Sequence, residues 1–288
     1  MFPEREGVLD CLHELHPVPA RERRAVAEGD RRAHSPAEGE HAGDIDVGAG
    51  EREEAERAYH RAIAEAREIV EGLLEREPLP AEPVVVEVGA DYGWTSALLL
   101  DRGARVIATD ISDHLRHASR GESEALCRIQ ADMNRLPVAD GVADVVWATA
   151  CAHHSWDLQR TFREIARVLG PGGRAYLCNE PLPAWPRYLF GFGFGREERA
   201  RGINETWISR RGWLRRCRRA GLEPRLVFPA MAGERLERRL ARRGLPKSLG
   251  WLPGRLLGRL LAPVLPWLQV SVHLIAERAD GPVPDQSV

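Results

Sequence analysis

Lysine is almost missing from this 288-residue chain: Lys247 is the only one, so nearly all 41 basic side chains are arginine. The net charge is only −2, which points to neither nucleic acid nor an anionic membrane as a general partner. Cysteine is scarce and scattered. Cys11, Cys127, Cys151, Cys178 and Cys217 form no pair with metal-ligand spacing, which excludes a disulfide framework and fits reduced thiols in a cytoplasmic protein. Long apolar runs are lacking as well. The longest uncharged stretch, Leu260 to Ala276, contains Pro263 and Pro266 and is too short and too broken to cross a bilayer. The N-terminal "MFPEREGVLD" is charged and lacks an apolar core segment, so no secretory signal is expected. No internal repeat is present.

The charge that exists is unevenly spread. Between Arg201 and Leu260 there are 16 basic and 4 acidic side chains, so the rest of the chain is net acidic. Residues 1–50 are polar, with scattered prolines and the stretch "HAGDIDVGAG". They read as an N-terminal extension with a short helix or two, partly loose. From Glu51, apolar residues recur at helical spacing through Leu74, and "EPLPAEP" ends that helix.

Strands and helices then alternate. "PVVVEVG", "ARVIATD", "LCRIQAD", "ADVVWATA" and "GRAYLCNEP" read as five strands, with helices at "TSALLLDRG" and "DLQRTFREIARVLGPGG". "SRRGWLRRCRRAG" is a further helix, "LEPRLVFPA" a sixth strand and "QVSVHLIAER" a seventh. This alternation predicts an α/β fold built on a Rossmann-like, doubly wound, mostly parallel sheet. The division is an extension over 1–50, a core over 51–230, a helical insertion between strands six and seven over 231–268, and a last strand and tail over 269–288.

In such sheets ligands bind beyond the carboxyl ends of the strands, where strand order reverses. Four strand ends here carry acids or histidines. The first is "EVGADYG", with Glu87, Gly89, Asp91 and Gly93; the second ends at Asp110, the third at Asp132, and the fourth runs into His153 and His154. Glycines at 89 and 93 allow a tight turn and close approach of backbone to ligand. Asp110 is suited to accept hydrogens from both ribose hydroxyls. Those features alone fit a dinucleotide or an S-adenosylmethionine enzyme, and Asp91 separates the two. A pyrophosphate wants bare N–H groups and would be repelled by a carboxylate in that turn, whereas a sulfonium and an ammonium would be attracted.

Taken together, "VVVEVGADYG", "VIATDIS", "QADMNRLPVADGVADVVWATACAHH" and "REIARVLGPGG" resemble the class I S-adenosylmethionine-dependent methyltransferases, in particular the small-molecule, methyltransferase type 11-like branch. The resemblance covers about residues 51–181. It implies a seven-stranded sheet whose last strand is antiparallel. It also implies that Glu87, Gly89 and Gly93 lie against the methionine part of the cofactor and Asp110 holds the ribose, with Ile111 beside the adenine. Asp132 would receive the adenine amino group with Met133 packed nearby, and Thr149 and Ala150 would lie close to the sulfonium. Asp91 departs from the family, which usually has glycine there.

His153 and His154 are the candidate bases, since a neutral imidazole at the methyl donor can take a proton near neutral pH. Glu180, at the end of the fifth strand, is a third catalytic candidate, and it and Glu205 are expected to line the acceptor pocket. No His/Glu spacing of a metal site is recognisable, and no metal is expected. The reading is transfer of the S-adenosylmethionine methyl to an O, N or C nucleophile of a small molecule, leaving S-adenosylhomocysteine. One alternative keeps the cofactor and changes the reaction to cyclisation, decarboxylation or elimination. A second is a nucleic-acid-modifying methyltransferase, disfavoured because no Asn-Pro-Pro-aromatic motif is present. The 231–268 insertion mixes arginines with "GWLPGRLLGRLLAPVLPWL". It is expected to form broken helical pieces that act as a lid or a homodimer contact, with membrane or lipid contact as the secondary reading.

Overall fold

The structure, a computed structural model, describes residues 4–5, 7–12, 15–34, 49–117, 123–182, 200, 202–206, 208–227 and 271–279. The expected helical insertion over 231–268 lies outside the described residues.

All seven expected strands are present: β3 (Val84–Val88), β4 (Arg105–Asp110), β5 (Leu126–Gln130), β6 (Ala143–Thr149), β7 (Leu169–Pro181), β8 (Leu222–Val227) and β9 (Ser271–Arg278). Two more precede them, β1 (Glu4–Arg5) and β2 (Val8–Asp10). The sheet therefore has nine strands rather than seven, in the order β1-β2-β5-β4-β3-β6-β7-β9-β8. Strands β2 to β7 run parallel where they pair, and β9 is antiparallel to both β7 and β8. From β3 the chain builds outward through β4 to β5, then returns to place β6 on the other side of β3. Strand order thus reverses between β3 and β6, and the ligand end is the carboxyl end of these strands.

The two faces follow from side-chain alternation along each strand. Val85, Val106, Val145, Trp147 and Tyr176 share one face with Val70, Leu73 and Leu74 of α2 (Ala49–Arg76) and Leu98 and Leu99 of α3 (Trp94–Leu100). Val86, Val88, Val146, Ala148, Ala175 and Leu177 share the other with Phe162 and Ile165 of α4 (Leu158–Val168) and Trp213 and Cys217 of α5 (Arg210–Arg219). Phe162 and Trp213 meet edge to face, with ring centroids 6.1 Å apart. Asp157 caps α4 by accepting from the Arg160 N–H, and Ser209 caps α5 by accepting from Gly212.

The N-terminal segment is joined to this core where its polar sequence suggests a loose extension. β2 adds in parallel to β5, with Val8 buried, and the Cys11 N–H donates to the Gln130 carbonyl at 2.9 Å. Helix α1 (Pro17–His34) follows and brings Glu22 to a buried position. A three-residue strand carries too little periodicity to be read in advance.

Arg167, in the last turn of α4, sews the loop after β5 to the helix. Its Nη1 donates to the Val138 carbonyl and to Asp140 Oδ1, both at 2.7 Å, and its Nη2 donates to the Leu136 carbonyl at 2.8 Å. Glu164 receives Arg167 Nε and Nη2 and also accepts the Leu136 N–H at 2.7 Å. Replacing Arg167 with Ala strands two carbonyls, those of Leu136 and Val138, and unpairs Glu164 and Asp140. Arg167→Ala should lower stability by roughly 2–4 kcal/mol, read from urea unfolding. A loss under about 1 kcal/mol would show that the loop is held by its apolar contacts instead.

Candidate active site

Four loops interlock at the carboxyl ends of β3, β4, β5 and β6. The loop after β3 begins at Gly89 (φ +72°), whose N–H donates to the Thr109 carbonyl at 2.9 Å. A Cβ at Gly89 would lie 2.5 Å from Cys151 Cβ and 2.6 Å from its Sγ, so only glycine lets the loops after β3 and β6 meet. Cys151 Sγ in turn lies 3.0 Å from the Val88 carbonyl. Asp91 adopts a left-handed conformation (φ +49°), and Gly93 (φ +76°) opens α3.

Asp91 answers differently from what its charge suggests. Its carboxylate Oδ1 is bonded to His114 Nδ1, and the His114 ring stacks on Tyr92 at 4.3 Å. Its backbone N–H donates to Asp110 Oδ2 at 2.8 Å. Asp91 therefore ties the loop after β3 to the loop after β4. His114 carries no spacing signal that would have named it.

Asp110 accepts three hydrogens within the protein: Asp91 N–H at Oδ2, and the Ser112 N–H (2.8 Å) and hydroxyl (2.7 Å) at Oδ1. A carboxylate has about four acceptor positions, and the Ser112 hydroxyl can rotate away. Room remains for two ribose hydroxyls, so the residue fits the role drawn from the family. Burial raises the Asp110 pKa; the hydrogen bonds from Ser112 and Asp91 oppose this. Glu87 is buried beside it and accepts the Ser96 hydroxyl. Burial pushes the Glu87 pKa up to about 8 against that hydrogen bond, with the Asp110 and Asp91 charges adding to the rise. The neighbouring Ile111 offers its carbonyl to Gln130 Nε2 at 3.2 Å.

Asp132 sits at the end of β5, its Oδ1 accepting the Asn134 N–H at 2.8 Å. Its Oδ2 receives the Trp156 indole N–H at 3.1 Å, and His16 stacks on Trp156 at 4.0 Å. Met133 packs half-buried on the core. At β6, the Thr149 hydroxyl accepts the Trp147 indole N–H at 2.9 Å, and Ala150 (φ +50°) donates its N–H to the Cys178 carbonyl at 2.8 Å.

Glu180, fully buried on β7, holds the turn after β6. It accepts the N–H groups of Cys151 (3.2 Å), Ala152 (3.0 Å) and His153 (3.2 Å), and His153 Nδ1 donates to it at 2.9 Å. His153 Nε2 lies 3.3 Å from Glu205 Oε2. Burial alone would lower the His153 pKa, but hydrogen bonds to Glu180 and Glu205 and their charges outweigh it, raising the value to about 9. His154 goes the other way: burial and then the His153 charge lower its pKa. Its Nδ1 donates to the Asn204 carbonyl at 2.7 Å, and Asn204 Nδ2 returns bonds to the carbonyls of His154 and Ser155.

Near neutral pH His153 is thus a held cation with no lone pair for a proton, while His154 is neutral. The tandem histidines, alike in sequence, are unlike in chemistry. Glu22 of α1 completes the group, 3.5 Å from His154 Nδ1. Burial, with added repulsion from Asp110 and Glu205, raises its pKa to about 8 against an opposing bond from the Asn204 N–H. Sequence spacing offers no route to Glu22, which lies far from the strand-end motifs.

These strand ends are where the chain is similar to known proteins. The "Methyltransferase domain" family profile matches residues 86–177. Over 132 residues the chain is 31% identical to a dimethylglycine N-methyltransferase of Parasynechococcus marenigrum, covering 43% of this chain and 47% of that protein. It is 30% identical over 120 residues to a malonyl-[acyl-carrier protein] O-methyltransferase of Erwinia pyrifoliae, covering 42% and 46%. The chain thus spans under half the length of the curated relatives it matches. In fold it is similar to the phosphoethanolamine N-methyltransferase 2 of Haemonchus contortus, solved with S-adenosyl-L-methionine. There the TM-score is 0.53 at 13% identity, over 75% of this chain and 53% of that one. Strand order and profile agree on the same stretch: residues 86–177 match the methyltransferase domain family, on a sheet shared in fold with a solved methyltransferase.

Proposed function

We propose that this protein transfers the methyl group of S-adenosylmethionine to a nucleophile on a small molecule. The observation that carries the reading is electrostatic. Glu87, Asp91, Asp110 and Asp132 gather at the carboxyl ends of β3, β4 and β5, with Glu87 buried. Such a site suits a ligand that brings positive charge and disfavours a pyrophosphate.

In this reading Gly89 and Gly93, with Glu87, border the methionine part, Asp110 holds the ribose beside Ile111, and Asp132 and Met133 border the adenine. Thr149 and Ala150 stand at the reacting end. When bound, S-adenosylmethionine supplies a methyl on a positively charged sulfur and leaves as S-adenosylhomocysteine. The protein's part is chiefly to hold donor and acceptor in line. His153 and Glu180 keep the turn after β6 in place. His154 is the one of the two histidines with a lone pair to offer at the acceptor end. The relatives named above act on nitrogen in one case and oxygen in the other, which supports a small-molecule acceptor without choosing its atom. Asp91, the residue that suggested a reaction other than methyl transfer, has its carboxylate bonded to His114 and gives that alternative no support.

Asp110→Ala should weaken S-adenosylhomocysteine binding by roughly 1.5–3 kcal/mol, the scale of a charge-assisted hydrogen bond. Calorimetry giving unchanged affinity in a folded variant would remove Asp110 from the cofactor site. His154→Ala should keep that affinity while turnover falls on the order of 10²-fold or more, measured as labelled methyl transferred to an acceptor found by extract screening. Near-normal turnover in this variant would mean that positioning alone carries the reaction.

A further inference from the structure

Around the turn at 153–154, nitrogen and oxygen donors from three separate parts of the chain face one another. His153 Nε2 lies 3.3 Å from Glu205 Oε2, and His154 Nδ1 lies 3.4 Å from the same oxygen and 3.5 Å from Glu22 Oε1. One donor atom from each of His153, His154 and Glu205 falls within 4.8 Å of the others. The Asn204 carbonyl is 2.7 Å from His154 Nδ1. A ring nitrogen carries at most one hydrogen, yet three oxygens converge on this one. One hydrogen serves one of them well, whereas an ion at the centre serves all of them.

We propose that His153, His154, Glu205 and Glu22 bind a divalent first-row transition-metal ion. Three observations support the assignment independently of one another. First, three donor separations, His153 to Glu205, His154 to Glu205 and His154 to Glu22, are 3.3–3.5 Å, close to the edge of about 3.3–3.4 Å that a tetrahedron with bonds of roughly 2.0–2.1 Å would have. Second, Glu180 accepts from His153 Nδ1 at 2.9 Å. A metal-ligating histidine is held in this way, with its other ring nitrogen tied to a carboxylate. Third, the donors are buried: the side chains of His153, Glu205 and Glu22 are 8%, 7% and 12% exposed. A divalent ion bound there would take the place of the protons that His153 Nε2 and Glu22 hold in the ion-free protein.

Two imidazoles with two carboxylates select zinc, iron, cobalt, nickel or manganese over calcium and magnesium. With an ion in place, the His154 ring hydrogen sits on Nε2 and the Nδ1 lone pair points into the cluster, so the lone pair offered to an acceptor belongs to the ion-free protein. His154, 27% exposed, marks the open side, where an oxygen of the acceptor would add as a fifth ligand. That last role rests on the methyl-transfer reading; the binding of the ion does not.

The test uses the full chain, stripped with a chelator and titrated with Zn(II) alone by calorimetry, then loaded with Mn(II) for pulsed electron paramagnetic resonance. The expected result is one zinc per chain, with affinity falling on the order of 100-fold in Glu205→Gln and in Glu22→Gln, while S-adenosylhomocysteine affinity is unchanged. The Mn(II) form of the unaltered protein should show nitrogen coupling from imidazole, a readout that depends on no variant folding. Absence of that coupling, absence of zinc binding, or zinc affinity unchanged from the unaltered protein in the two variants would each overturn the site. Loss of cofactor binding with the metal site intact would instead strike the methyl-transfer reading alone.

Discussion

The site rests on one buried carboxylate. Glu180 receives four hydrogens, three from consecutive backbone N–H groups of residues 151–153 and one from the His153 ring. Four acceptor positions therefore meet four donors, which is what makes a fully buried charge tolerable. The residue reaches this place because the register of β7 against β9 shifts between Leu177 and Glu180, with Asn179 in a left-handed conformation (φ +57°). Once the 151–153 turn is fixed, Cys151 lies against Gly89, and the loops after β3 and β6 lock together.

The same clamp divides the work of two adjacent histidines. His153 is enclosed between Glu180 and Glu205 and is held as a cation, with its pKa raised to about 9. A raised value means that this contact contributes its full stabilisation below the ordinary imidazole pKa. The contribution is lost as pH rises through about 9. His154, its ring tilted beside that charge with centroids 4.1 Å apart, is pushed toward the neutral form by burial and then by the charge. The cation is thus an anchor, and the neutral ring is the one proposed for the chemistry.

Much of this was legible in the sequence. The strands from β3 to β7 are announced by apolar runs ending in an acid, a histidine or a turn. Glu87, Asp110 and Asp132 can be placed at strand ends because a parallel sheet puts ligands there. What stayed hidden depends on distance in the chain. β2 is three residues long and gains its identity only by pairing with β5, more than a hundred positions away. The bonds from Asp91 to His114 and from Glu22 toward His154 join groups whose spacing follows no period. The Asp91 carboxylate, which invited a ligand when read alone, turned out to have a partner within the protein.

The central claim is that Glu180 and Glu205 hold His153 as a cation while His154 stays neutral. The measurement that tests it most directly is a pH titration of the imidazole nitrogens by ¹⁵N–¹H correlation spectroscopy, on chelator-treated protein, with His153→Gln and His154→Gln used for assignment. The account predicts that the His153 ring stays protonated at both nitrogens up to about pH 9 and that the His154 ring carries one hydrogen at neutral pH. A His153 ring that loses its second proton near the ordinary value of about 6.5 would contradict it.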